Sequence, residues 1–328
     1  MKTQEAYTII SRYMTKTIRS AMLKLDGSAI RDLTEIRLYA GRKAVYIFPD
    51  RIRYLTCEGR LTGDPKDHCC INIAKDEIDN IMQALCHYSL YSCMRELHEG
   101  FIVLPGGVRV GISGRMSDTK DRILTEYSGL NFRISRCIPG ISDELFARTG
   151  KGAGSVLICG GVNSGKTTLL RDLCRACGNI MKTVLIDERN EISSTYDGIC
   201  SNEVGELTNV ITGCDRTEGI ILAIRTLSPD IIFCDEIAGE KDTNAILKGH
   251  GSGVRFAATI HADSYEDIFR RQALLPLINS GVFTHAAILQ GSGSPSVIRE
   301  IRRLGNASEN CSSNIVYNSR NSFRCSSS

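Results

Sequence analysis

The sequence predicts an α/β protein in which a parallel β-sheet carries helices on both faces and is preceded by a smaller α+β domain. Across residues 151–304, short apolar runs alternate with helical patterns, an order typical of parallel sheets. Residues 1–150 instead mix short strands and helices. Between the two halves, the glycine-rich stretch 147–154 (ARTGKGAG) predicts a linker.

The first domain shows strand and helix patterns in mixed order. Residues 35–48 break at Gly41 and predict two strands joined by a turn. Apolar residues recur at helical spacing within 76–98, which predicts one or two helices. The runs 101–104 and 108–112 flank Pro-Gly-Gly and predict a β-hairpin. Such a mixture is typical of an α+β domain.

The second domain repeats the order strand, loop, helix. Its apolar runs of strand length are 155–159, 183–187, 230–234, 254–260 and 286–290. Helical patterns separate most of these runs, at 166–177, 218–227, 242–248 and 265–278. This alternation indicates a parallel sheet with helices on both faces.

Residues 305–328 differ from both domains. Ser and Asn occupy 13 of these 24 positions, and there is almost no apolar periodicity. Such a segment buries too little apolar surface to offset the conformational entropy that is lost on ordering. We therefore predict a disordered tail. A frameshifted end is the alternative interpretation of this composition.

Composition and charge narrow the function classes. Hydrophobic residues make up 42% and charged residues 23%, the proportions of a globular protein. A net charge of +3 and the absence of Trp predict neither a concentrated basic face nor a stacking surface, so no nucleic-acid partner is expected. The sequence shows no signal peptide and no apolar run of the ~18 residues that span a membrane. We expect a cytoplasmic protein that reaches a membrane only through partners.

A glycine-rich segment with a lysine follows the first apolar run of the second domain. It fits the pattern G-x-x-x-x-G-K-[ST] and consists of Gly160, Gly161, Val162, Asn163, Ser164, Gly165, Lys166, Thr167 and Thr168. Glycines let such a loop wrap around phosphates with its backbone N–H groups pointing inward. Lys166 is expected to meet the β- and γ-phosphates, and the Thr167 hydroxyl to ligate Mg²⁺. A strand before the segment and a helix after it complete the P-loop pattern, so ATP and Mg²⁺ are the predicted ligands.

Two acids end the apolar run at 231–234. In a parallel sheet, ligands bind at the carboxyl ends of the strands. Asp235 is expected in the Mg²⁺ shell, and Glu236 is expected to orient or deprotonate the attacking water. Acids end many strands, and it is the P-loop in the same chain that favours a functional role here.

A second acidic strand end has the sequence LIDERNE, at 185–191. Glu188 and Glu191 are candidates to reach the same nucleotide. The alternative is a solvated junction with an internal ion pair to Arg189. Which of these carboxylates, or Glu236, activates water is left open by the sequence.

Thr259 and His261 end a third apolar run. A polar side chain at this position can contact the γ-phosphate and report its loss, and a histidine can change its protonation near neutral pH. The alternative is a structural histidine that is held by hydrogen bonds. Its place in the same series of strand ends favours the functional interpretation.

Arginines of the first domain are the last candidates. Arg109 and Arg115 flank the second hairpin strand, and Arg133 and Arg136 precede the linker. An arginine delivered to the γ-phosphate stabilises the charge of the transition state. A solvated basic strand edge is an equally good interpretation.

With these residues assembled, the chain resembles the stage III sporulation protein AA family, within the secretion-ATPase branch of P-loop proteins. The resemblance extends over about residues 30–300 and is carried by EIRL, GGVRVG, LNFRI, the P-loop, DER, DE and TIH. The P-loop is generic, whereas GGVRVG (106–111) and DER (187–189) are specific to this group. Two departures are Gly161-Val162, where Pro is common, and the residues after Arg303, which match nothing expected.

The resemblance implies a RecA-like P-loop NTPase core in a cytosolic ATPase of the mother cell of endospore-forming bacteria. It implies that this ATPase acts on a membrane complex that links the mother cell and the forespore. Relatives in type II and type IV secretion form hexamers, with nucleotide between an N-terminal and a RecA-like domain. The resemblance also implies catalytic roles for the acidic segment 187–191 and for His261. It implies that the N-terminal domain supplies arginines, here Arg133 and Arg136.

Two other functions stay open at this point. One is a nucleotide-dependent scaffold that binds ATP with little turnover, although both acidic strand ends are intact. The other is a nucleic-acid motor on the same core, which requires a basic stripe or an aromatic stacking surface that the composition does not predict. An ATP hydrolase that acts on a membrane assembly remains the favoured interpretation.

Overall fold

The computed structural model describes residues 3–89, 93–117, 123–134 and 138–305. The chain forms two compact units. One comprises Met1–Arg136 and Ser194–Asn202, and the other comprises Cys137–Ser193 and Glu203–Ser328. Arg136 lies outside the described residues, as does all of the predicted tail except Gly305.

The helices and strands up to residue 134 all belong to the first unit. In chain order they are α1 (Thr3–Arg12), α2 (Lys16–Leu23), β1 (Glu35–Tyr39), β2 (Val45–Ile47), β3 (Ile52–Leu55), β4 (Leu61–Thr62), α3 (Lys75–Leu85), α4 (Met94–Glu99), β5 (Phe101–Leu104), β6 (Val108–Met116) and β7 (Leu124–Ile134). The remaining elements are α5 (Asp143–Arg148), β8 (Val156–Cys159), α6 (Lys166–Gly178), β9 (Thr183–Asp187), β10 (Thr195–Tyr196), β11 (Ile199–Cys200), β12 (Thr208–Thr212), α7 (Arg216–Thr226), β13 (Ile231–Cys234), α8 (Glu240–Gly251), β14 (Arg255–Ile260), α9 (Tyr265–Phe269), α10 (Leu275–Asn279), β15 (His285–Leu289) and β16 (Ile298–Arg303). Of these, β10 and β11 belong to the first unit.

The first unit is built on a seven-stranded antiparallel sheet in the order β4-β3-β2-β1-β7-β6-β5. The predicted hairpin is β5 and β6, joined by a short 3₁₀ turn at Pro105–Gly107. Gly106 and Gly107 both have positive φ there, a conformation that glycine adopts without steric cost. Buried apolar residues of α1, α2 and α3 form one core with this sheet, so the α+β prediction is confirmed.

The second unit is built on a seven-stranded sheet in the order β12-β9-β13-β14-β8-β15-β16. All neighbouring strands are parallel except β16, which is antiparallel to β15. Alternate strand residues enter two separate cores. One core contains buried residues of α5 and α6, and the other contains residues of α7, α8, α9 and α10. The predicted parallel sheet with helices on both faces is therefore confirmed, and its carboxyl edge gathers the ends of β8, β9, β13 and β14.

Two details of the predicted order differ from the structure. The helix predicted over 265–278 is broken into α9, a 3₁₀ turn at Gln272–Leu274, and α10. Pro276 lies in the first turn of α10, where its missing N–H is tolerated, but it prevents a continuous helix. The edge strands β12 and β16 were not predicted, because both are partly exposed and mix apolar with polar residues.

Hydrogen bonds to the buried carboxylate of Asp172 connect the start of α5 to α6. Asp172 accepts hydrogen bonds from the backbone N–H (2.9 Å) and the hydroxyl (2.8 Å) of Ser142, and from Arg175 Nε (2.7 Å). Burial alone raises the pKa of Asp172, but the hydrogen bonds from Ser142 and Arg175 outweigh burial and lower it. These contacts lie within the second unit, which also contains the predicted linker 147–154.

Replacing Asp172 by alanine is expected to lower the free energy of unfolding by about 2–4 kcal/mol, because buried donors lose a charged acceptor. The depressed pKa favours the ionised form in the folded state. Its contribution is therefore present above the unfolded pKa, about 3.9, and is lost as the pH falls through the lower folded value. Urea denaturation at pH 7 and in acid measures both effects, with exposed Glu206→Ala as the control. Equal destabilisation by the two variants at pH 7 contradicts the prediction.

Candidate active site

The P-loop connects the end of β8 to the start of α6 at the carboxyl edge of the second sheet. Gly165 has a φ of 88° and lies so close to Ser296 that a Cβ there would be 2.4 Å from the Ser296 backbone nitrogen. Asn163 also has a positive φ, of 59°. The loop thus leads into the N-terminus of a 13-residue helix, whose unpaired N–H groups favour a bound anion.

Lys166 is buried at the base of this loop. Its Nζ donates to the carbonyl oxygens of Gly160 (2.8 Å) and Gly161 (2.7 Å) and lies 3.3 Å from His261 Nδ1. Burial lowers the pKa of Lys166, while the charges of Asp235 and Glu236 act in the opposite direction. The ammonium is held by neutral acceptors that phosphate oxygens can replace.

Asp235, at the end of β13, is fixed by two threonine hydroxyls. Thr167 Oγ1 donates to one carboxylate oxygen (3.0 Å), and Thr259 Oγ1 donates to the other (2.5 Å). The Thr259 hydroxyl in turn accepts from the Glu236 backbone N–H (2.9 Å). The hydroxyl of Thr167 and the carboxylate of Asp235 therefore meet at one point. Hard oxygen ligands of this kind suit Mg²⁺, so this pair fits the predicted metal position.

The Glu236 carboxylate lies between two cationic or titratable side chains. Its Oε1 lies 3.0 Å from His261 Nε2, and its Oε2 lies 3.6 Å from Arg189 Nη1. Its backbone has a φ of 45°, which is uncommon for a residue with a side chain and marks local strain. Because His261 Nδ1 faces the Lys166 ammonium, the partners assign a neutral imidazole with its proton on Nε2, donated to Glu236.

The acidic strand end after β9 contains carboxylates in different roles. Asp187 is buried and accepts from the backbone N–H groups of Glu191, Ile192 and Ser193 and from the Ser193 hydroxyl. Burial raises its pKa, against the effect of these hydrogen bonds. The Asp187 carboxylate therefore holds the backbone of the loop, and Asp187, Glu188 and Glu191 all line the pocket.

One pocket brings the predicted strand-end residues together. Its lining comprises Val162, Asn163, Lys166, Thr167, Ile186, Asp187, Glu188, Arg189, Glu191, Arg216, Asp235, Glu236, Thr259 and His261. Thr168 lies one position further along α6 with its side chain half-buried. The sequence had placed Arg189 here only as an ion-pair partner. It had not predicted Arg216, which comes from the start of α7 and carries no local motif.

Arg216 holds two acidic residues together. It donates to Glu188 (2.8 Å) and to Asp242 of α8 (2.9 Å). Its pKa is raised by the charges of its surroundings in spite of burial, which acts to lower it. Glu188 is therefore neutralised by a close cation, whereas Glu236 has a longer ion pair and a histidine.

The arginine candidates of the first unit lie in its sheet. Arg109 in β6 and Arg133 in β7 are direct cross-strand partners. The guanidinium of Arg109 lies 3.6 Å from the centroid of the Phe101 ring, and the Arg133 side chain is exposed. Arg115 pairs loosely with Glu126, at 3.8 Å.

Comparison with known proteins assigns the family. The sequence profile described as sporulation stage III, protein AA matches residues 1–306. The chain belongs to this family. Stage III sporulation protein AA of Bacillus subtilis (strain 168) is 28% identical over 301 residues, which cover 89% of this chain and 94% of that protein. The resemblance that was predicted from the motifs is confirmed.

Solved structures show which fold this sporulation protein AA family member has. The pilus retraction motor PilT, solved with bound ADP, aligns with a TM-score of 0.57 at 16% identity, covering 86% of this chain and 83% of PilT. The ATPase DotB of Legionella pneumophila aligns with a TM-score of 0.52 at 14% identity, covering 83% of this chain and 74% of DotB. Identity this low shows the fold alone, and the predicted RecA-like core is confirmed. None of the helices in the described part of the chain is long and apolar enough to cross a membrane.

Proposed function

We propose that this member of the sporulation protein AA family binds Mg-ATP in the pocket of the second unit and hydrolyses it to ADP and phosphate. The observation that carries the proposal is the meeting of three parts at one sheet edge. These parts are the P-loop with Lys166, the Thr167–Asp235 oxygen pair, and Glu236 with its His261 partner. A glycine-rich turn with no nucleotide site explains neither the Thr167–Asp235 oxygen pair nor the contact of Glu236 with His261.

Phosphate binding follows from the loop and its lysine. The positive end of α6 and the backbone N–H groups of Gly160–Thr168 receive the phosphate oxygens. The Lys166 ammonium exchanges its contacts with the Gly160 and Gly161 carbonyls for the β- and γ-phosphates. Thr167 and Asp235 would hold Mg²⁺, which neutralises phosphate charge when it is bound.

Water activation is assigned to Glu236. The oxygen of a water bonds to the γ-phosphorus while the bond from that phosphorus to the bridging oxygen breaks, and ADP leaves with the electron pair. Glu236 orients this water and accepts its proton. His261 is the positioning residue, since its Nε2 proton fixes one carboxylate oxygen. Glu188 and Glu191 remain alternative bases, but Glu188 is already paired with Arg216 at 2.8 Å.

The wider role that we propose is energy supply to a membrane complex in endospore formation. Family membership and the fold shared with PilT and DotB support it. We propose a cytoplasmic homo-oligomer, a hexamer by family resemblance, that works at the cytoplasmic face of this complex in the mother cell. Within the oligomer, Arg133 and Arg136 are proposed to reach the nucleotide of their own or a neighbouring subunit. Nucleic acid is not a proposed partner.

Phosphate release by the purified full-length chain tests this function. We expect turnover that requires Mg²⁺, is lost with EDTA, and is at least about 10²-fold lower in a Glu236→Gln preparation purified in parallel. ATP affinity is measured on the same samples. Binding without turnover, also in the presence of the membrane partners, would favour the nucleotide-dependent scaffold. Absence of ATP binding would overturn the site assignment altogether.

A further inference from the structure

Arg189 differs from the other cations at the pocket in how it is held. Among the residues that the structure describes, Lys166, Arg189 and Arg216 supply the positive charge of the pocket lining. The Lys166 ammonium is held by two carbonyls and a histidine. The Arg216 side chain is only 13% exposed and is bound between two carboxylates. The Arg189 side chain is 67% exposed, and its ion pair with Glu236 is 3.6 Å long, beyond hydrogen-bond distance.

The backbone that carries Arg189 is, by contrast, firmly fixed. The buried Asp187 accepts four hydrogen bonds from residues 191–193. Arg171 of α6 donates to the carbonyl oxygens of Glu191 (2.6 Å) and Ile192 (2.8 Å). The loop is thereby fastened both to the strand that precedes it and to the P-loop helix. The backbone of Arg189 is thus held in place, while its exposed side chain can exchange Glu236 for another partner.

We propose that Arg189 is a catalytic arginine that acts on the nucleotide bound to its own subunit. This inference rests on the proposed ATPase function. The γ-phosphoryl oxygens gain charge as the bond to ADP breaks, and a second cation besides Lys166 stabilises that charge. Arg189 lines the same pocket as Lys166 and Glu236. Its side chain moves so that the guanidinium leaves Glu236 and contacts these oxygens, and the guanidinium keeps all of its protons. An exposed ion pair of this length is weak, so the exchange is energetically easy.

The exchange has a consequence for Glu236. While Arg189 pairs with it, one oxygen of the Glu236 carboxylate, Oε2, faces the guanidinium. Movement of the cation to the γ-phosphoryl group leaves Glu236 with His261 alone. The arrival of ATP would therefore release Oε2 of Glu236 for contact with the attacking water and supply the second cation in one movement. ADP has no γ-phosphoryl group and leaves the ion pair in place.

The first test compares Arg189→Ala and Arg189→Lys with Arg225→Ala, a change of an exposed arginine at the end of α7. An arginine that reaches the transferring phosphoryl group contributes about 10³–10⁵ in rate. We expect kcat to fall at least about 10³-fold in Arg189→Ala and to recover only in part in Arg189→Lys, which lacks the planar fork. ADP affinity stays within about threefold of the wild-type value, and Arg225→Ala behaves as wild type.

A binding measurement separates this role from a structural one without relying on turnover. ADP with aluminium fluoride mimics the transferring phosphoryl group, and we expect Arg189→Ala to lose at least about 10²-fold in affinity for this mixture but not for ADP alone. Equal loss for both ligands would show a structural defect and overturn the proposal. The proposal would also be overturned if the wild-type protein hydrolyses ATP and Arg189→Ala hydrolyses it at the same rate. In that case the proposed ATPase function would still stand.

Mixing experiments decide which subunit Arg189 serves. A mixture of Arg189→Ala with Glu236→Gln should show no recovered turnover, because each subunit lacks one group of its own site. A mixture of Arg133→Ala with Glu236→Gln should recover turnover if Arg133 reaches a neighbouring subunit, because one interface then carries both intact groups. Recovery in the Arg189 mixture would overturn action within the same subunit.

Discussion

Replacing Lys166 by alanine is expected to weaken ATP binding by about 10²–10⁴-fold. Hydrogen bonds to charged groups contribute about 1.5–3 kcal/mol each, and Lys166 is positioned to make two of them, to the β- and γ-phosphates. Each 1.4 kcal/mol is a factor of ten in affinity. Isothermal titration calorimetry of ATP with the wild-type protein and the purified variant measures the loss of ATP affinity.

The fold is expected to survive this change. The contacts of Lys166 Nζ within the chain are to backbone carbonyls and to His261, and water can satisfy those acceptors at a partly open pocket. Lys182→Ala, which alters an exposed lysine of the same unit, is the matched control. A folded Lys166→Ala protein that binds Mg-ATP with wild-type affinity would show that the glycine-rich loop is not a phosphate site.

The strand, loop and helix that carry the candidate phosphate site lie where the sequence predicted them. A strand that ends in glycines, followed by lysine and a helical pattern, has few other structures available, so β8, the loop and α6 formed as expected. The acids after β13 and β9 also lie where the apolar runs end. Parallel strands bring such ends to one edge, which is why residues far apart in the chain line one pocket.

The roles of similar carboxylates could not be predicted in this way. Asp187 and Asp235 both end buried strands, and both patterns read alike in the sequence. The structure shows that Asp187 is occupied by the backbone of its own loop, whereas Asp235 accepts from threonines of two other elements. Arg216 was missed for the same reason, because its partners come from the β9 loop and from α8. Long-range hydrogen bonds decide these roles, and they leave no spacing in the sequence.

Strands in segments of mixed polarity were also missed by the sequence prediction. The edge strands β12 and β16 carry exposed Thr, Asn, Arg and Glu residues among apolar ones, so neither gives the apolar run of a central strand. The segment Ser194–Asn202 follows a predicted strand of the second domain but belongs to the first unit. Its short strands β10 and β11 pair with each other in a two-stranded sheet and give no periodic signal in the sequence.

Replacing Glu236 by glutamine is expected to leave ATP bound while turnover falls by about 10²–10⁴-fold, the range that a general base contributes. Glutamine has nearly the same shape, and its amide oxygen still accepts from His261 Nε2, so the pocket is preserved. The amide accepts no proton from water, so the chemical step slows by this factor. Phosphate release in a single turnover and ATP affinity are measured on the same protein.

The neighbouring acids provide the controls that assign the base. Glu188→Gln weakens the ion pair with Arg216, and Glu191→Gln alters a lining side chain without touching the backbone contacts of that residue. If Glu236 activates the water, both variants retain most of the wild-type turnover and Glu236→Gln does not. Normal hydrolysis by Glu236→Gln, with loss in Glu188→Gln or Glu191→Gln, would place the base on the loop after β9. The His261–Glu236 contact would then hold a residue that binds or senses nucleotide rather than one that accepts the proton.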